Sequence, residues 1–321
     1  MEAYQIREFQ PRDYLPEATI WSRLDPDRTF SAEEARHFEE KIFTPPMINV
    51  KMVAEERLHG EAVGFGYLQS DLESFDPRNF WAAVSVDPRH QGRGLGLALM
   101  TAVNREAERR QARTLWARIR AEDARAARFF ARQGFAERRR SWWSRLDLAS
   151  APVLPDRTAP FAQVGISFST FAEERRDAPE VLRGLYELAV ANFGDEPRLG
   201  PYTPMTFEQF VEMELGGVTF LPDAYFLARE HGRFVASSAL RRVAGMPEIL
   251  QQSFTGTRRE LRGRGIASEL KRRAVEFGRA HGYRFIRTGN DSLNQPMLAI
   301  NRKLGFQPQS QRIVGERRLG I

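Results

Sequence analysis

One short segment occurs twice in this chain, and that repetition restricts what the chain can fold into more than any other feature. Gln91-Gly92-Arg93-Gly94-Leu95-Gly96 is matched by Arg262-Gly263-Arg264-Gly265-Ile266-Ala267. Forty residues beyond Gly94 and Gly265 stands Gly-Phe, as Gly134-Phe135 and Gly305-Phe306. Upstream, His59-Gly60 is echoed by His231-Gly232, one residue out of register with the later motifs. At 321 residues the chain can form two units that each bury a core. The expected division is 1–148 and 160–321, joined by a proline-bearing linker over 149–159 that contains Pro152 and Pro155.

Each copy shows the same order of elements. A first strand (around 5–9 and 165–171) leads to a helical stretch, then to two strands joined by a tight turn at His-Gly. A further strand, 81–86 or 249–255, runs directly into the glycine segment. After it, Leu95, Leu99, Val103 and Ala107 recur at helical spacing, as do Ile266, Leu270, Ala274 and Phe277. A strand, a short helix, Gly-Phe and a last strand complete each copy. This is an α/β unit written twice.

Composition removes several kinds of chemistry. Cysteine is absent, which excludes disulfides, thiolate nucleophiles, Fe–S clusters and every zinc site that uses sulfur. The five histidines fall in no metal-binding spacing, three of them (His59, His231, His281) directly before glycine, so no metal is expected. The N-terminal residues are charged from Glu2 and lack the apolar core of a signal peptide, and no apolar run approaches membrane-spanning length, so a soluble, cytoplasmic protein is expected. Lys plus Arg exceed Asp plus Glu by 48 to 42, for a net charge of +6. That excess reads either as a solvated surface or as attraction to an anionic ligand, a phosphorylated cofactor before nucleic acid.

A strand that ends in such a glycine segment and opens at once into a helix presents unpaired backbone N–H groups at the positive end of the helix dipole. That arrangement can cradle a pyrophosphate, with Arg93 and Arg264 adding charge at its rim. It lacks the Gly-Lys-Ser/Thr of a Walker loop and the third small residue of a dinucleotide fingerprint. The two segments instead resemble motif A of the GNAT superfamily of acyltransferases, Q/R-x-x-G-x-G/A after a β-strand, and the resemblance extends over nearly the whole chain as a tandem. It implies two tandem acyl-CoA N-acyltransferase domains, each a mixed, mostly antiparallel twisted sheet flanked by helices. It also implies acetyl-CoA as cofactor and an amine, of a small molecule or peptide, as acceptor.

The same resemblance assigns residues. The cofactor would contact Val84, Ser85 and Val86 with Gln91, Gly92, Arg93, Gly94, Leu95 and Gly96 in the first copy. In the second it would contact Thr255, Gly256 and Thr257 with Arg262, Gly263, Arg264, Gly265, Ile266 and Ala267. The family's usual acid, a tyrosine four residues before Gly-Phe, falls on Phe130 and Asn301. Only Asn301 can hydrogen-bond a thiolate, which favours the second copy as the active one. Asn294 reads as a cofactor contact or a helix N-cap, two compatible roles, with Asp123 at its place in the first copy. Glu248, before the strand leading to the second loop, is the expected base, and Asp195, Glu196, Glu212 and Glu214 could attract a cationic amine. Two further functions fit: an acyl-CoA-binding sensor or scaffold without turnover, and an aminoacyl transferase using charged tRNA, which the intact cradles disfavour.

Overall fold

The computed structural model describes residues 3–26, 31–174 and 178–320. In chain order the elements are β1 (Tyr4–Glu8), α1 (Tyr14–Leu24), α2 (Ala32–Lys41), β2 (Asn49–Glu56), β3 (Ala62–Ser70), β4 (Asn79–Val86), α3 (Leu95–Arg109), β5 (Thr114–Arg120), α4 (Ala124–Arg132) and β6 (Ala136–Asp147). There follow α5 (Thr158–Gln163), β7 (Ile166–Thr170), α6 (Pro179–Phe193), α7 (Phe207–Glu214), β8 (Phe220–Glu230), β9 (Arg233–Arg242), β10 (Ile249–Thr257), α8 (Ile266–Ala280), β11 (Phe285–Asp291), α9 (Gln295–Lys303) and β12 (Gln307–Arg318). The doubled α/β order expected from the repeat is present. No helix among the described residues is long and apolar enough to cross a membrane, and no group of side chains there could hold a metal ion.

The two compact units are not contiguous in sequence. The first comprises Met1–Arg140, Arg198–Thr203 and Gln311–Ile321, and the second Ser141–Pro197 and Pro204–Ser310. In the first, Arg312–Arg318 of β12 pair antiparallel with β5, from Arg312 opposite Arg120 to Arg318 opposite Thr114. In the second, Ser141–Asp147 of β6 pair antiparallel with β11. The expected contiguous boundary at 148 is therefore crossed twice. The expected linker is likewise anchored: Ala151 is buried, Arg279 donates to the carbonyls of Leu148 and Ala151, and α5 begins within the segment.

Within the first unit the strands run β1-β2-β3-β4-β5-β12. Only β4 and β5 are parallel, and they pair through just three positions, Asn79–Trp81 against Thr114–Trp116. Beyond Trp81, β4 stays paired with β3 as far as Val86 but no longer with β5, so a gap opens in the sheet toward the glycine loop. Apolar residues of α3 (Leu99, Met100, Val103) cover one face with Leu68, Leu115 and Ala117. On the other face Ile20 of α1 packs on Val53, Phe65 and Tyr67. The second unit repeats the scheme: β10 and β11 pair in parallel only over Ile249–Gln252, then diverge. These short parallel ladders position both glycine loops at the open end of a V.

Candidate active site

In the first unit Gly94 caps α3 with φ +82°, a left-handed conformation that an L side chain adopts only with strain. A Cβ placed on Gly94 would meet no atom within 4 Å, so the space in front of the helix N-terminus is open. Gln91 donates to the carbonyl of Val86 at 3.0 Å and accepts from Arg125 at 2.9 Å, which ties the loop to both β4 and α4. Arg93 reaches back to the hydroxyl of Tyr4 at 2.6 Å. Because Asp87 N–H binds Val63 O on the β3 side, strand alternation turns the N–H groups of Val84 and Val86 toward the gap. Donors thus line both the loop and the edge of the gap.

A cavity of about 380 Å³ occupies this place. Its walls include Val84, Ser85 and Val86 of β4 and Gln91, Gly92, Gly94, Leu95 and Gly96 of the loop, so eight of the nine first-copy residues expected at the cofactor converge on it. Arg93, the ninth, is not among the wall residues. Phe130 also lines the cavity, buried edge-on against Phe129 and Phe135, and offers no proton to anything there. Lining residues come from both faces of the sheet, Leu95 and Ile119 from the α3 side, Trp21 and Asp25 from the end of α1, and so the cavity passes through the gap.

The second loop has the same backbone but different surroundings. Gly265 caps α8 with φ +87°, yet a Cβ there would lie 2.6 Å from the guanidinium of Arg157, which comes from the segment expected to be a linker. Glu269, in the first turn of α8 and 2% exposed, accepts from the backbone N–H of Arg157 and pairs with Arg272 and Arg273. A carboxylate of the chain itself thus sits near the helix N-terminus where a phosphate would be drawn. Arg262 and Arg259 both bind Asp195, whose carboxyl Arg259 first and Arg262 second hold below its ordinary range, and Arg264 pairs with Glu230 at 2.9 Å. The loop arginines of this copy already have anionic partners.

The remaining expected residues are placed as follows. Thr255 and Thr257 lie on the diverging part of β10, and the N–H of Arg258 binds Val235 O, which by alternation turns their own N–H groups toward β11. Gly256 packs against Phe254 and Asn192; Gly263 stands free of side-chain neighbours; Ile266 is buried and Ala267 follows it on the first turn of α8. Asn294 is the N-cap of α9, accepting from Met297 N–H at 3.4 Å, and Asp123 caps α4 in the same way. Asn301 is 3% exposed and donates to Asn290 at 2.6 Å, while its side-chain amide oxygen Oδ1 is buried without a hydrogen-bond partner.

Glu248 lies away from both glycine loops. It is exposed just before β10, where its carbonyl accepts from Arg284 and Phe285, at the paired end of the V and a whole strand from the glycine loop. Tyr225 is core, its phenol raised by burial. The sequence reading missed Trp21, Asp25, Arg118, Arg120 and Arg312 in the first cavity and Arg157 at the second loop. One signal was available, since Arg118 and Arg120 are two apart on a strand and so share a face.

Comparison with known proteins agrees with this architecture. The chain matches a GCN5-related N-acetyltransferase from Sphaerobacter thermophilus at 21% identity and TM-score 0.72, covering 100% of this chain and 98% of that one. It matches a tandem GNAT protein from the clavulanic acid biosynthesis pathway at 20% identity and TM-score 0.72, over 99% of both chains. An acetyltransferase of the GNAT family from Colwellia psychrerythraea gives 12% identity and TM-score 0.62, over 98% and 100%. At these identities the likeness is one of fold. No curated protein matches in sequence. The profile of the acetyltransferase (GNAT) family, however, fits residues 7–135 and again 183–306, and on that double match the chain belongs to this family as a tandem of two GNAT regions.

Proposed function

We propose that the protein is an acetyl-CoA-dependent N-acetyltransferase whose first unit, rather than the second, binds the cofactor and carries the reaction. The observation that carries this reading is the cavity that joins the Gln91–Gly96 loop to the gap between β4 and β5. The loop N–H groups and Arg93 would hold the pyrophosphate, and the N–H groups of Val84 and Val86 would hold the pantetheine arm and the thioester oxygen. Coenzyme A supplies the activated acyl group as a thioester. The residues of the chain align the amine with it and keep bulk water out of the gap.

In the transfer a neutral amine forms the C–N bond, the C–S bond breaks, the amine gives up one proton and the thiolate takes one up. Phe130 cannot supply that last proton, so catalysis here rests on positioning and on backbone donors rather than on a phenol. The seat of Arg157 on Gly265, with Glu269 close by, speaks against the second loop as the cofactor site in spite of Asn301. Phe130 also motivates the runner-up, an acyl-CoA-binding protein without turnover.

The test is amine-dependent thiol release from acetyl-CoA, followed across a panel of small amines with the product identified by mass. Release coupled to an acetylated amine is the expected result. Tight acetyl-CoA binding with no release against any amine would favour the binding protein instead.

A further inference from the structure

Building on the reading of the first unit as a transferase, we infer that Glu17 takes the proton an acceptor amine must lose before it attacks, passed through the hydroxyls of Ser85 and Tyr67. Ser85 is a wall residue of the cavity and stands between Val84 and Val86, whose N–H groups face the gap. On β4 it shares a face with Ala83, which packs with Ile20 of α1 and with Phe65 and Tyr67 of β3. In the ladder with β3 it stands opposite Phe65, which places Tyr67 on the adjacent diagonal. The Ser85 side-chain oxygen is buried, with no hydrogen-bond partner among the described residues. It lies beside the Tyr67 hydroxyl, so an ammonium in the cavity would complete a chain that leads away from the gap.

That chain has a direction. Trp21 donates its indole N–H to the Tyr67 oxygen at 2.7 Å, and an indole nitrogen can only donate, so the phenolic proton goes elsewhere. Its acceptor is Glu17, buried at 2% exposure and hydrogen-bonded to Tyr67. Glu17 also accepts from Lys51 at 3.1 Å, and Lys51 reaches Glu39 at 2.7 Å, whose side chain is 27% exposed. Two carboxylates thus share one ammonium, and these three groups carry a net negative charge that a single proton removes. Burial raises the Glu17 carboxyl above its ordinary range; Lys51 offsets part of that rise, and Glu39 adds to it. Further out stand Tyr14, which donates to Glu39, with Arg36 over its ring and Glu40 nearby. A buried ion pair gives little stability beyond apolar residues of the same volume, whereas a buried carboxylate one proton short of neutrality suits an acceptor that arrives as an ammonium. In the transfer the ammonium gives a proton to the Ser85 oxygen, Ser85 gives its own to Tyr67, and Tyr67 gives its own to Glu17. The amine is left neutral, both hydroxyls are restored, and Lys51 and Glu39 pass the proton from Glu17 to solvent. The second amine proton, lost once the C–N bond has formed, is the one the departing thiolate takes up.

The experiment sorts acceptors by charge. Thiol release from acetyl-CoA at pH 7 is compared for amines protonated there, benzylamine and ethanolamine among them, and for amines that are not, such as aniline and hydroxylamine. It is run on the wild type, Glu17→Gln, Tyr67→Phe and Ser85→Ala, with acetyl-CoA affinity and thermal melting measured alongside. Infrared difference spectra across pH follow the Glu17 carboxyl itself, through the C=O band that Glu17→Gln removes. We expect the ratio of kcat/KM for protonated over neutral amines to fall about 100-fold in Glu17→Gln and Tyr67→Phe, and about 10-fold in Ser85→Ala, where a water can replace the hydroxyl. The lost ratio should return as the pH is raised toward the pKa of the amine, and the Glu17 band should titrate above the ordinary carboxylate range. A loss shared equally by both kinds of amine, a ratio that Tyr67→Phe and Ser85→Ala leave unmoved, or a Glu17 carboxyl that titrates in the ordinary range would overturn the inference while leaving the transferase reading intact. So would a wild type that acetylates neutral amines alone. Should Glu17→Gln fail to fold, the other two variants decide by the same ratio. No thiol release by the wild type with any amine would instead remove the reading on which the inference rests.

Discussion

Replacing Gly94 by glutamate should weaken acetyl-CoA binding by about 100-fold or more, whereas Gly265→Glu should leave the affinity unchanged. A carboxylate on Gly94 projects into open space in front of α3, where it both fills the cradle and repels the pyrophosphate. Backbone strain is a separate effect, because Gly94 has φ +82°, and forcing a side chain into that region costs about 1 to 2 kcal/mol. Gly94→Ala separates the two. It carries the strain but meets no atom within 4 Å, so its affinity should fall far less than that of the glutamate variant. At Gly265 the new carboxylate meets Arg157, an arm that can shift and pair with it, and no bound cofactor is disturbed. Calorimetric titration of the three variants beside the wild type checks the pattern.

The second large effect concerns stability and lies in the second unit. Lys271 of α8 is 1% exposed, donates to the side chain of Gln252 at the last paired position of β10, and lies 5.1 Å over the ring of Phe306. Burial pushes its ammonium down from 10.5 to about 7. Between those two values the unfolded chain holds a proton that the folded chain does not, so stability rises with pH across that interval. Below about pH 7 both states are protonated and the full cost of the buried charge is felt. The gain from pH 7 to pH 9.5 should be on the order of 3 kcal/mol, at 1.36 kcal/mol per unit. Lys271→Met, the residue found at the corresponding Met100, should abolish that slope. It also leaves the Gln252 carbonyl oxygen without this donor, so the slope rather than the absolute stability is the quantity to read. Denaturant titrations of both proteins at several pH values provide it.

The repeat made the doubled α/β order legible, because glycine segments and apolar periodicity are local signals that survive without knowledge of tertiary contacts. The first glycine loop was legible for the same reason: a strand that leads into Gln91–Gly96 and then a helix dictates where backbone N–H groups point. Strand partners are not local. Nothing in 141–147 or 311–318 tells which sheet will accept those residues, and the contiguous boundary failed there. The active copy proposed here differs from the one the sequence favours for a related reason. The sequence sets Asn301 against Phe130, each within the same copy as its loop, whereas the neighbour of Gly265 on which the proposal turns is Arg157, more than a hundred residues away in sequence. Glu248 is placed in the sequence only by the strand it precedes, but a strand has two ends, and Glu248 stands at the one away from the glycine loop. Arg312 joins Arg118 and Arg120 only through β12 pairing, so this wall of the cavity had no contiguous signature.

The most direct test is the stoichiometry with which acetyl-CoA binds the unmodified chain. One site per chain, lost in Gly94→Glu and kept in Gly265→Glu, is the result expected if the open first cradle alone takes the cofactor. Two sites of similar affinity, or one site lost only in Gly265→Glu, would contradict it.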